Sequence, residues 1–528
     1  MIPANPRQHG ISASRNWYGA ALFLGVLGCF LLQGLWVATD PSRMNHDVAW
    51  NQTVGAILLD GGTFGADITD VNPPWIFQAH ALVEWLARAT GVAPLILWLW
   101  FTALLQAAAV SQTRAHLQTL LGDGPWPWII GAAALTWLLA SAGRDLGQRD
   151  VLVVGLALPY LSAAAVRATD ALPRRGAVAG LLMAVAVLFK AHYLLLPVMV
   201  AIWLRRRGVQ GWRRPESWGL LCGLGVGGLL LGSFGTVWLS ELLAGGARYA
   251  AGAEHVPVPL SSVGWVLGAA VVARLSWRAS DAAAVGGPLV ELLAWSAGLA
   301  LAVAAIQGRG FSYHLFPAQA FAGLTLLVAV TGRAQLIPKV GGREARILGL
   351  VALLPWCLIA ASERTSDPSR VDTIRLSHVF AKEVGRGGTV AALSPSVEPL
   401  FPAVNFAGAR WVGRESCLWQ FGVTHDAARL AERPYRYLTL ADMTAFERAW
   451  VVRTVDRLVA RTPQLLVVDI SPQRQFLGDT PVDLIRYFSA DLRLPTLLQR
   501  YQRRPSPLVL KIGADDVRFA IWRRRPAT

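Results

Sequence analysis

The chain contains two apolar stretches in close succession, PLVELLAWSAGLALAVAAI (288–306) and SYHLFPAQAFAGLTLLVAVT (312–331), which are joined by the loop QGRGF (307–311). Each has about 20 residues, the length that an α-helix needs to cross the hydrocarbon core of a bilayer. Nine further stretches have the same character, so the sequence predicts about eleven transmembrane helices. The nine are 17–38, 92–110, 126–142, 150–166, 176–189, 191–204, 217–236, 260–275 and 346–362.

The composition of the whole chain agrees with a membrane protein. Of its 528 residues, 54% are hydrophobic and only 16% are charged, and the mean hydropathy is +0.42. Soluble domains carry about 25% charged residues, so this is not a chain of ordinary soluble domains. Nor is it disordered, because a chain this apolar does not stay solvated. We therefore predict an α-helical polytopic membrane protein.

Basic residues orient the predicted helices. If the N-terminus is cytoplasmic, every concentrated basic cluster faces the cytoplasm, as the positive-inside rule requires. The net charge of +16 then sets topology and gives no case for nucleic acid. The first segment is predicted to be an uncleaved signal anchor in the bacterial inner membrane, and the C-terminus is predicted to be periplasmic. The clusters are Arg7 and Arg15; Arg167, Arg174 and Arg175; Arg205, Arg206, Arg207, Arg213 and Arg214; Arg274 and Arg278; and Arg333, Lys339, Arg343 and Arg346.

The regions between and after these helices have their own predicted structure. The first outer loop comprises about residues 40–91. Within it, two segments are predicted to be interfacial helices, Asn51–Leu59 and Trp75–Arg88, the second being too polar to span comfortably. The transmembrane domain is taken as 1–362 and the periplasmic α/β domain as 363–528. In that tail we predict helices at Thr373–Val384 and Asp442–Thr462, the latter with a Thr444–Glu447 capping box, and strands at Thr389–Leu393, Leu465–Ile470 and Phe519–Arg523. The four cysteines show neither a disulfide framework nor metal spacing.

Unusual polar residues gather in the outer loops, with acids on the first loop and cations on later ones. Ionisable groups at membrane depth are costly and usually functional. A carboxylate can deprotonate a hydroxyl, and basic side chains can hold a phosphate. Together these groups could transfer a group from an activated phosphate donor to a hydroxyl. Because no ATP or sugar nucleotide is expected outside the cytoplasm, that donor should be carried by a lipid. The candidates are Asp47, Asp67, Asp70, Asn72, Gln148, Arg149, Lys190, His192, Arg309, Tyr313 and His314.

Several of these candidates also have a plain structural explanation. Asp47 could be a helix N-cap, and the sequence from Asp70 to Pro74 could be turn chemistry. Lys190 and His192 could extend to the membrane interface. Arg149 could pair with Asp145 or Asp150.

The order of motifs resembles the GT-C glycosyltransferases. The closest likeness is to the bacterial branch related to protein mannosyltransferases, aminoarabinose transferase and arabinofuranosyltransferases. The motifs that carry the resemblance are HDVAW (46–50), GGTFGAD (61–67), DVNPP (70–74), QRD (148–150), Lys190 and YHLFP (313–317).

The resemblance implies a GT-C fold and transfer of one sugar from a polyprenyl-phosphate donor to a glycan or lipid acceptor. It implies that Asp47 is the acceptor-activating base, with Asp70 as a second acidic position near it. The sequence departs from the family pattern because Val48, not a second acid, follows Asp47, so the base could also be Asp67 or Asp70. Some relatives use a divalent cation, which leaves Mg²⁺, Mn²⁺ or Ca²⁺ open as a cofactor.

We therefore predict an inverting, lipid-dependent glycosyltransferase that acts as a monomer. Asp47 or Asp70 would be the base, Arg149, Lys190 and His192 would bind the departing phosphate, and the tail would position the acceptor. One alternative is a polysaccharide polymerase or ligase, which would place its long loop between late helices. Another is a lipid-linked sugar transporter or flippase, which would carry charges within spans and a repeat in its two halves.

Overall fold

The computed structural model describes residues 20–32, 35, 44–122, 125–209, 214–232, 235–241, 243, 256–278, 287–334, 370–425, 427–512 and 515–526. The chain forms two compact units. The first comprises Met1–Trp36, Ile96–Leu231 and His255–Ser366, and the second Val37–Leu95, Gly232–Glu254 and Asp367–Thr528. The second unit thus combines the first outer loop with the C-terminal residues. The predicted domain boundary between 362 and 363 lies outside the described residues and stays a prediction.

Helices dominate the chain up to residue 334. Ten of the eleven predicted apolar segments fall on helices, and the eleventh, 346–362, lies outside the described residues. In chain order the helices are α1 (Ala20–Leu32), α2 (His46–Leu59), α3 (Pro74–Thr90), α4 (Pro94–Leu121), α5 (Trp126–Ala140), α6 (Arg149–Arg167), α7 (Gly176–Phe189), α8 (Leu195–Arg206), α9 (Pro215–Leu231), α10 (Gly235–Glu241), α11 (Leu260–Arg278), α12 (Gly287–Gln307) and α13 (Ser312–Ala334).

Four of the described helices are long and apolar enough to cross a membrane, namely Pro94–Leu121, Arg149–Arg167, Gly287–Gln307 and Ser312–Thr331. The other described helices do not meet both conditions, so the total of eleven spans and their orientation stay predictions.

The second predicted segment, 92–110, continues as a helix to Leu121. The extension is polar, and its side chains are paired inside the first unit. Both ring nitrogens of His116 lie 2.8 Å from a partner, one the Ser162 hydroxyl and the other the Arg174 carbonyl, and the Gln112 amide donates to the same carbonyl. Hydropathy alone ends the segment too early because these polar groups are satisfied by neighbours and not by water.

Helices α7 and α9 pack against each other through small residues. A Cβ at Gly180 would lie 2.0 Å from the Glu216 carbonyl oxygen, and one at Gly219 would lie 2.0 Å from the Ala177 carbonyl oxygen. Gly223 and Gly227 follow Gly219 at intervals of four residues and also face α7 side chains at under 3.0 Å. This spacing puts small residues along one face of α9 and lets the two backbones approach closely.

Replacing Gly219 with leucine should destabilise the first unit, because the side chain would collide with the α7 backbone. We expect a loss of about 1–3 kcal/mol, the usual cost of overpacking, measured as a lower thermal unfolding midpoint in detergent. Gly228→Leu is the matched control, since a Cβ at this position of the same helix would meet no described neighbour within 4 Å. Equal midpoints for the two variants would contradict this packing.

The first outer loop forms two helices that cross at a glycine. A Cβ at Gly55 of α2 would lie 2.6 Å from the His80 backbone of α3. Both predicted interfacial segments are therefore confirmed as helices, and their position at an interface stays a prediction. The first is predicted to begin at Asn51 but begins at His46, because the Asn45 side chain accepts a hydrogen bond from the Asp47 amide at 2.8 Å and caps the helix.

The C-terminal residues form an α/β fold around one mixed sheet. Its order is β2-β1-β3-β6-β4, and β5 also pairs with β6. Strand β1 is parallel to β2 and β3, whereas the pairs made by β6 are antiparallel. The strands are β1 (Thr389–Leu393), β2 (Arg410–Trp411), β3 (Leu465–Asp469), β4 (Tyr501–Arg503), β5 (Leu508–Ile512) and β6 (Asp515–Arg524).

Helices cover this sheet, and aromatic residues fill the core between them. Phe421, Trp450, Tyr487 and Phe488 are buried there in mutual ring contact. All the elements predicted in the tail are present, with ends that shift by a few residues. The helices are α14 (Arg370–Val384), α15 (Leu400–Phe406), α16 (Phe421–Thr424), α17 (Ala427–Ala431), α18 (Ala445–Arg461), α19 (Leu484–Phe488) and α20 (Arg493–Leu498).

The predicted capping box at the start of α18 is only half formed. The Thr444 hydroxyl accepts a hydrogen bond from the Glu447 amide at 3.2 Å. The Glu447 carboxylate does not return to the cap. It is buried and binds Arg429 at 2.9 Å and the Tyr487 hydroxyl at 2.6 Å, which satisfies a charge that burial would otherwise penalise.

Candidate functional site

The first turn of α2 carries Asp47. Because Asn45 caps the helix, the Asp47 carboxylate is not used as the cap, which removes its simplest structural explanation. The side chain is 21% exposed, so it is reachable from outside the protein. A negative charge at this end of a helix is favoured by the helix dipole.

His46 lies between two carboxylates. Its Nε2 is 3.6 Å from an Asp47 oxygen, and its Nδ1 is 3.6 Å from a Glu398 oxygen. Glu398 belongs to the connection between β1 and α15, so the C-terminal residues contribute to the surroundings of Asp47. We call His46, Asp47 and Glu398 the acid cluster.

Asp70 is fixed beside the same helix. Its Oδ2 accepts a hydrogen bond from the Trp50 indole at 2.7 Å, and its Oδ1 accepts one from the Asn72 amide at 2.7 Å. Trp50 lies three residues after Asp47, about one helical turn, so the two side chains share a face of α2. The hydrogen bond from the Asn72 amide is the turn chemistry predicted for this stretch, and the hydrogen bond from the Trp50 indole connects that turn to α2. Asn72 acts there through its backbone amide.

Asp67 has a different role. It binds Arg457 at 2.7 Å and Arg461 at 3.0 Å. Partial burial raises its pKa, but the Thr63 amide and Arg457 lower it by more, so the pKa of Asp67 lies below its usual value. A carboxylate held by two guanidinium groups is a poor proton acceptor. This geometry disfavours Asp67 as the base.

The loop that carries Asp67 is held in shape by glycines and by one arginine. Gly61 and Gly65 have φ of 85° and 83°, a left-handed conformation that glycine adopts without strain. The Arg414 guanidinium donates to the Gly65 carbonyl and, at 2.9 Å, to the Thr69 hydroxyl. The Thr69 amide donates to the Arg414 carbonyl at 2.9 Å. The GGTFG motif is thus a turn docked on the C-terminal fold.

The predicted basic residues lie in the first unit, where several come together. Lys190 pairs with Asp150 at 2.8 Å, with both side chains almost fully buried. Its ammonium lies 5.9 Å from the centre of the Tyr313 ring, and that ring contacts His314 edge-on at 4.6 Å between centres. His192 contacts the Gln307 amide at 3.3 Å. Lys190 and Arg149 are both close enough to His192 to interact with it electrostatically.

The other members of this set lie at helix ends. Gln148 and Arg149 are buried where α6 begins, and Arg309 is half-buried in the loop between α12 and α13. Asp145 accepts a hydrogen bond from the Ser312 hydroxyl at 2.8 Å. Asp150 forms an ion pair with Lys190. It is one of the two residues that the sequence offers as a partner of Arg149. We call Gln148, Arg149, Lys190, His192, Tyr313 and His314 the basic cluster.

Sequence reasoning missed Glu398 and the role of Trp50. Glu398 lies in the proline-rich segment SPSVEPLFP (394–402), about 350 residues from Asp47. The available signal was that a buried parallel strand ends just before it, since residues at the carboxyl ends of such strands often form sites. Trp50 belongs to the HDVAW motif (46–50), but nothing in that motif indicates its hydrogen bond to Asp70.

A divalent cation does not fit the acid cluster. The two carboxylates face opposite nitrogens of His46, so the three groups do not converge on one point. Within the described part of the chain, no group of three or more His, Cys, Asp or Glu is arranged to hold a metal ion. The use of Mg²⁺, Mn²⁺ or Ca²⁺, which the resemblance leaves open, stays a prediction.

Among known proteins, a likeness to this chain is found with solved structures. No protein-family model and no curated protein matches the chain. Among solved structures, it is similar to the cryo-EM structure of arabinofuranosyltransferase AftD from Mycobacteria, with 15% identity and a TM-score of 0.46. The match covers 95% of this chain and 40% of that one, so this chain spans about two fifths of that protein's length.

The name of AftD identifies that protein as an arabinofuranosyltransferase. An identity and a TM-score this low carry no argument about activity.

Cys417 should report on the surroundings of Asp47. Burial raises the pKa of its thiol to about 12, and the negative charge of Asp47 adds to the rise. Because the thiolate is the reactive form, Cys417 should resist iodoacetamide in the folded protein at pH 8 and react once the protein is denatured. Peptide mass spectrometry measures the alkylated fraction. Alkylation in the folded protein as fast as in the denatured protein would contradict the buried position.

Proposed function

We propose that the protein is an inverting membrane glycosyltransferase. It takes a sugar from a polyprenyl-phosphate donor and transfers it to a glycan or lipid acceptor. The observation that carries the proposal is the acid cluster, in which a reachable carboxylate, Asp47, stands in the first turn of a helix beside a histidine and a second carboxylate. The apolar helices support a position in a membrane.

In the proposed reaction, Asp47 accepts the proton of an acceptor hydroxyl while the hydroxyl oxygen attacks the anomeric carbon of the donor. The new carbon–oxygen bond forms as the bond from that carbon to the phosphate oxygen breaks, and the bonding pair leaves with the phosphate. Attack opposite the leaving group inverts the anomeric configuration. The step needs no oxidant, no nucleotide and no covalent enzyme intermediate.

The acid cluster also offers a way to restore the base. His46 is adjacent to Asp47 and to Glu398, so a proton taken up by Asp47 has a neighbouring acceptor. Asp70 is a second carboxylate on the same side of α2, and hydrogen bonds from Trp50 and Asn72 hold its two oxygens in place. The position of His46 beside Asp47, where it can accept a proton, supports Asp47 over Asp70 as the base.

The basic cluster suits the departing phosphate. Arg149 and Lys190 both interact electrostatically with His192. Cationic side chains such as these two stabilise charge on a leaving phosphate, to which His192 would donate a hydrogen bond. Lys190 is already paired with Asp150, so its charge is oriented by a fixed partner. Tyr313, His314 and Arg309 would shape the donor pocket, and Gln148 would support Arg149.

Location and partners complete the proposal. The chain would lie in the bacterial inner membrane with a cytoplasmic N-terminus, and the chemistry and the C-terminal α/β fold would be periplasmic. That fold would position the acceptor, and the protein would act as a monomer. The basic loops, which would all be cytoplasmic, support this orientation.

Asp47→Asn should abolish function while leaving the fold intact, because the amide keeps the shape but cannot accept the proton. Loss of a general base reduces the rate by about 10²–10⁴-fold. Mass spectrometry of lipid-linked sugars in cells without the protein should show the donor accumulating. Wild type should clear this donor, and Asp47→Asn should not.

The matched control is Asp479→Asn, since Asp479 is 83% exposed and far along the chain from the acid cluster. It should behave as wild type. Glu398→Gln and Asp70→Asn should give smaller losses than Asp47→Asn. Clearance of the donor by both Asp47→Asn and Asp70→Asn would contradict the enzyme assignment, and an unchanged lipid profile on removal of the protein would contradict the donor class.

A further inference from the structure

The second unit contains a cavity of about 680 Å³ that the reaction described above does not use. It is bounded by the later turns of α2, by α3 and by the C-terminal fold. Gln52 and Thr53 line it, whereas Asp47 and Asp70 do not, so it is separate from the acid cluster. Cavities of about 300–1,000 Å³ are the usual size for small ligands.

Arginines give this cavity its charge. Five of them line it, against three carboxylates, so its walls carry an excess of positive charge. Guanidinium groups bind carboxylates and phosphates through paired, planar hydrogen bonds. The five are Arg88, Arg386, Arg410, Arg457 and Arg461.

The carboxylates of the cavity are already engaged. Asp67 binds Arg457 and Arg461, and Asp60 binds Arg88 at 2.7 Å. Each of these arginines is thus held in a fixed direction. The third carboxylate, Glu84, also binds Arg88, at 3.0 Å. Because each of the three carboxylates is paired with an arginine, the repulsion between these carboxylates and a bound anion is reduced.

Arg386 and Arg410 are different, because neither forms an ion pair within the described residues. Both are exposed, so the cavity opens to the outside where they lie. The backbone brings them together: the Gly387 amide donates to the Gly408 carbonyl at 2.8 Å, and the Arg410 amide donates to the Gly388 carbonyl at 2.8 Å. Two guanidinium groups are therefore available on one rim.

Neutral hydrogen-bonding groups lie deeper in the same cavity. The Gln52 amide donates to Glu84 at 2.8 Å, and the Asn405 amide donates to the Thr53 hydroxyl at 3.0 Å. Amides and carboxylates that line a cavity suit a ligand with many hydroxyl groups. The rim favours an anion and the interior favours hydroxyls.

We propose that this cavity binds an anionic glycan, that is, a short saccharide carrying a carboxylate or a phosphate group. Arg386 and Arg410 bind the anionic group, and the interior holds the sugar rings. Only the role of the glycan as acceptor rests on the proposed function; the binding itself does not. The site would specify the acceptor as acidic.

The test measures binding to the full-length protein in detergent by isothermal titration calorimetry. The probes are trigalacturonate, a phosphorylated trisaccharide, neutral maltotriose and inorganic phosphate. At least one of the two anionic trisaccharides should bind, and maltotriose and inorganic phosphate should each bind about tenfold more weakly or worse, since each lacks one half of the ligand. Added salt should weaken binding of the anionic trisaccharide.

The double variant Arg386→Ala/Arg410→Ala should bind the anionic trisaccharide about tenfold more weakly. Arg448→Ala/Arg500→Ala is the matched control, because both residues are exposed and neither lines the cavity. It should bind as wild type, and the thermal midpoints of both double variants should equal that of wild type.

Several results would overturn the proposal: no binding of either anionic trisaccharide, equal binding of maltotriose, equal binding of inorganic phosphate, or wild-type affinity in the Arg386/Arg410 variant. Asp47→Asn separates this proposal from the proposed function. It should keep the trisaccharide affinity while losing sugar transfer, so either result can fail without the other.

Discussion

The Asn405 side chain connects the C-terminal fold to the first outer loop, and the candidate chemistry depends on that connection. Its amide donates to the Ala49 carbonyl at 2.9 Å and to the Thr53 hydroxyl at 3.0 Å, one turn apart on α2. Phe401, on the same short helix, packs edge-on against Trp50 at 5.3 Å between ring centres. The position of α2 is thereby set by residues about 350 positions later in the sequence.

Several features follow from this contact. With α2 fixed, the Trp50 indole is aimed at Asp70, and Asp47 is held in the first turn with His46 beside Glu398. The Arg414 contacts fix the glycine turn in the same way. The C-terminal fold is therefore part of the framework of the acid cluster, in addition to any role in holding an acceptor.

Electrostatics divides the candidate groups between the two units. Of the groups predicted from the sequence, the acids lie in the second unit and the cations in the first, and partners within each unit lower the cost of burying charge. The Lys190–Asp150 pair illustrates this for the basic cluster, and the Asp67 pairs with Arg457 and Arg461 illustrate it for the glycine turn. Charges held this way are oriented before any ligand arrives, which suits both catalysis and recognition.

Much of the helical fold could be predicted because its signal is local. Apolar runs located ten of the described helices, and alternation of buried strands and helices located the sheet. The start of α2 was missed because the sequence from Asn45 to Trp50 is too polar for a hydropathy argument, whereas the cap at Asn45 decides it. The end of α4 was missed for the converse reason, since buried partners satisfy His116.

The candidate site was predictable only in part. Asp47 and Asp70 stand close together in sequence and could be named together. Glu398 could not, because its place beside His46 depends on the docking of a distant fold. Likewise, the sequence offered Asp145 and Asp150 as partners of Arg149 but gave no sign of the Lys190–Asp150 pair, because only tertiary packing brings Lys190 within 2.8 Å of that carboxylate.

Hydrogen–deuterium exchange tests most directly whether the C-terminal fold holds α2. In Asn405→Ala, which removes two hydrogen bonds, amides in peptides covering 46–59 and 62–72 should exchange roughly tenfold faster than in wild type. Peptides covering 287–334 should be unchanged, as should all peptides of the control variant Arg448→Ala. Wild-type protection of residues 46–59 in Asn405→Ala would contradict the account.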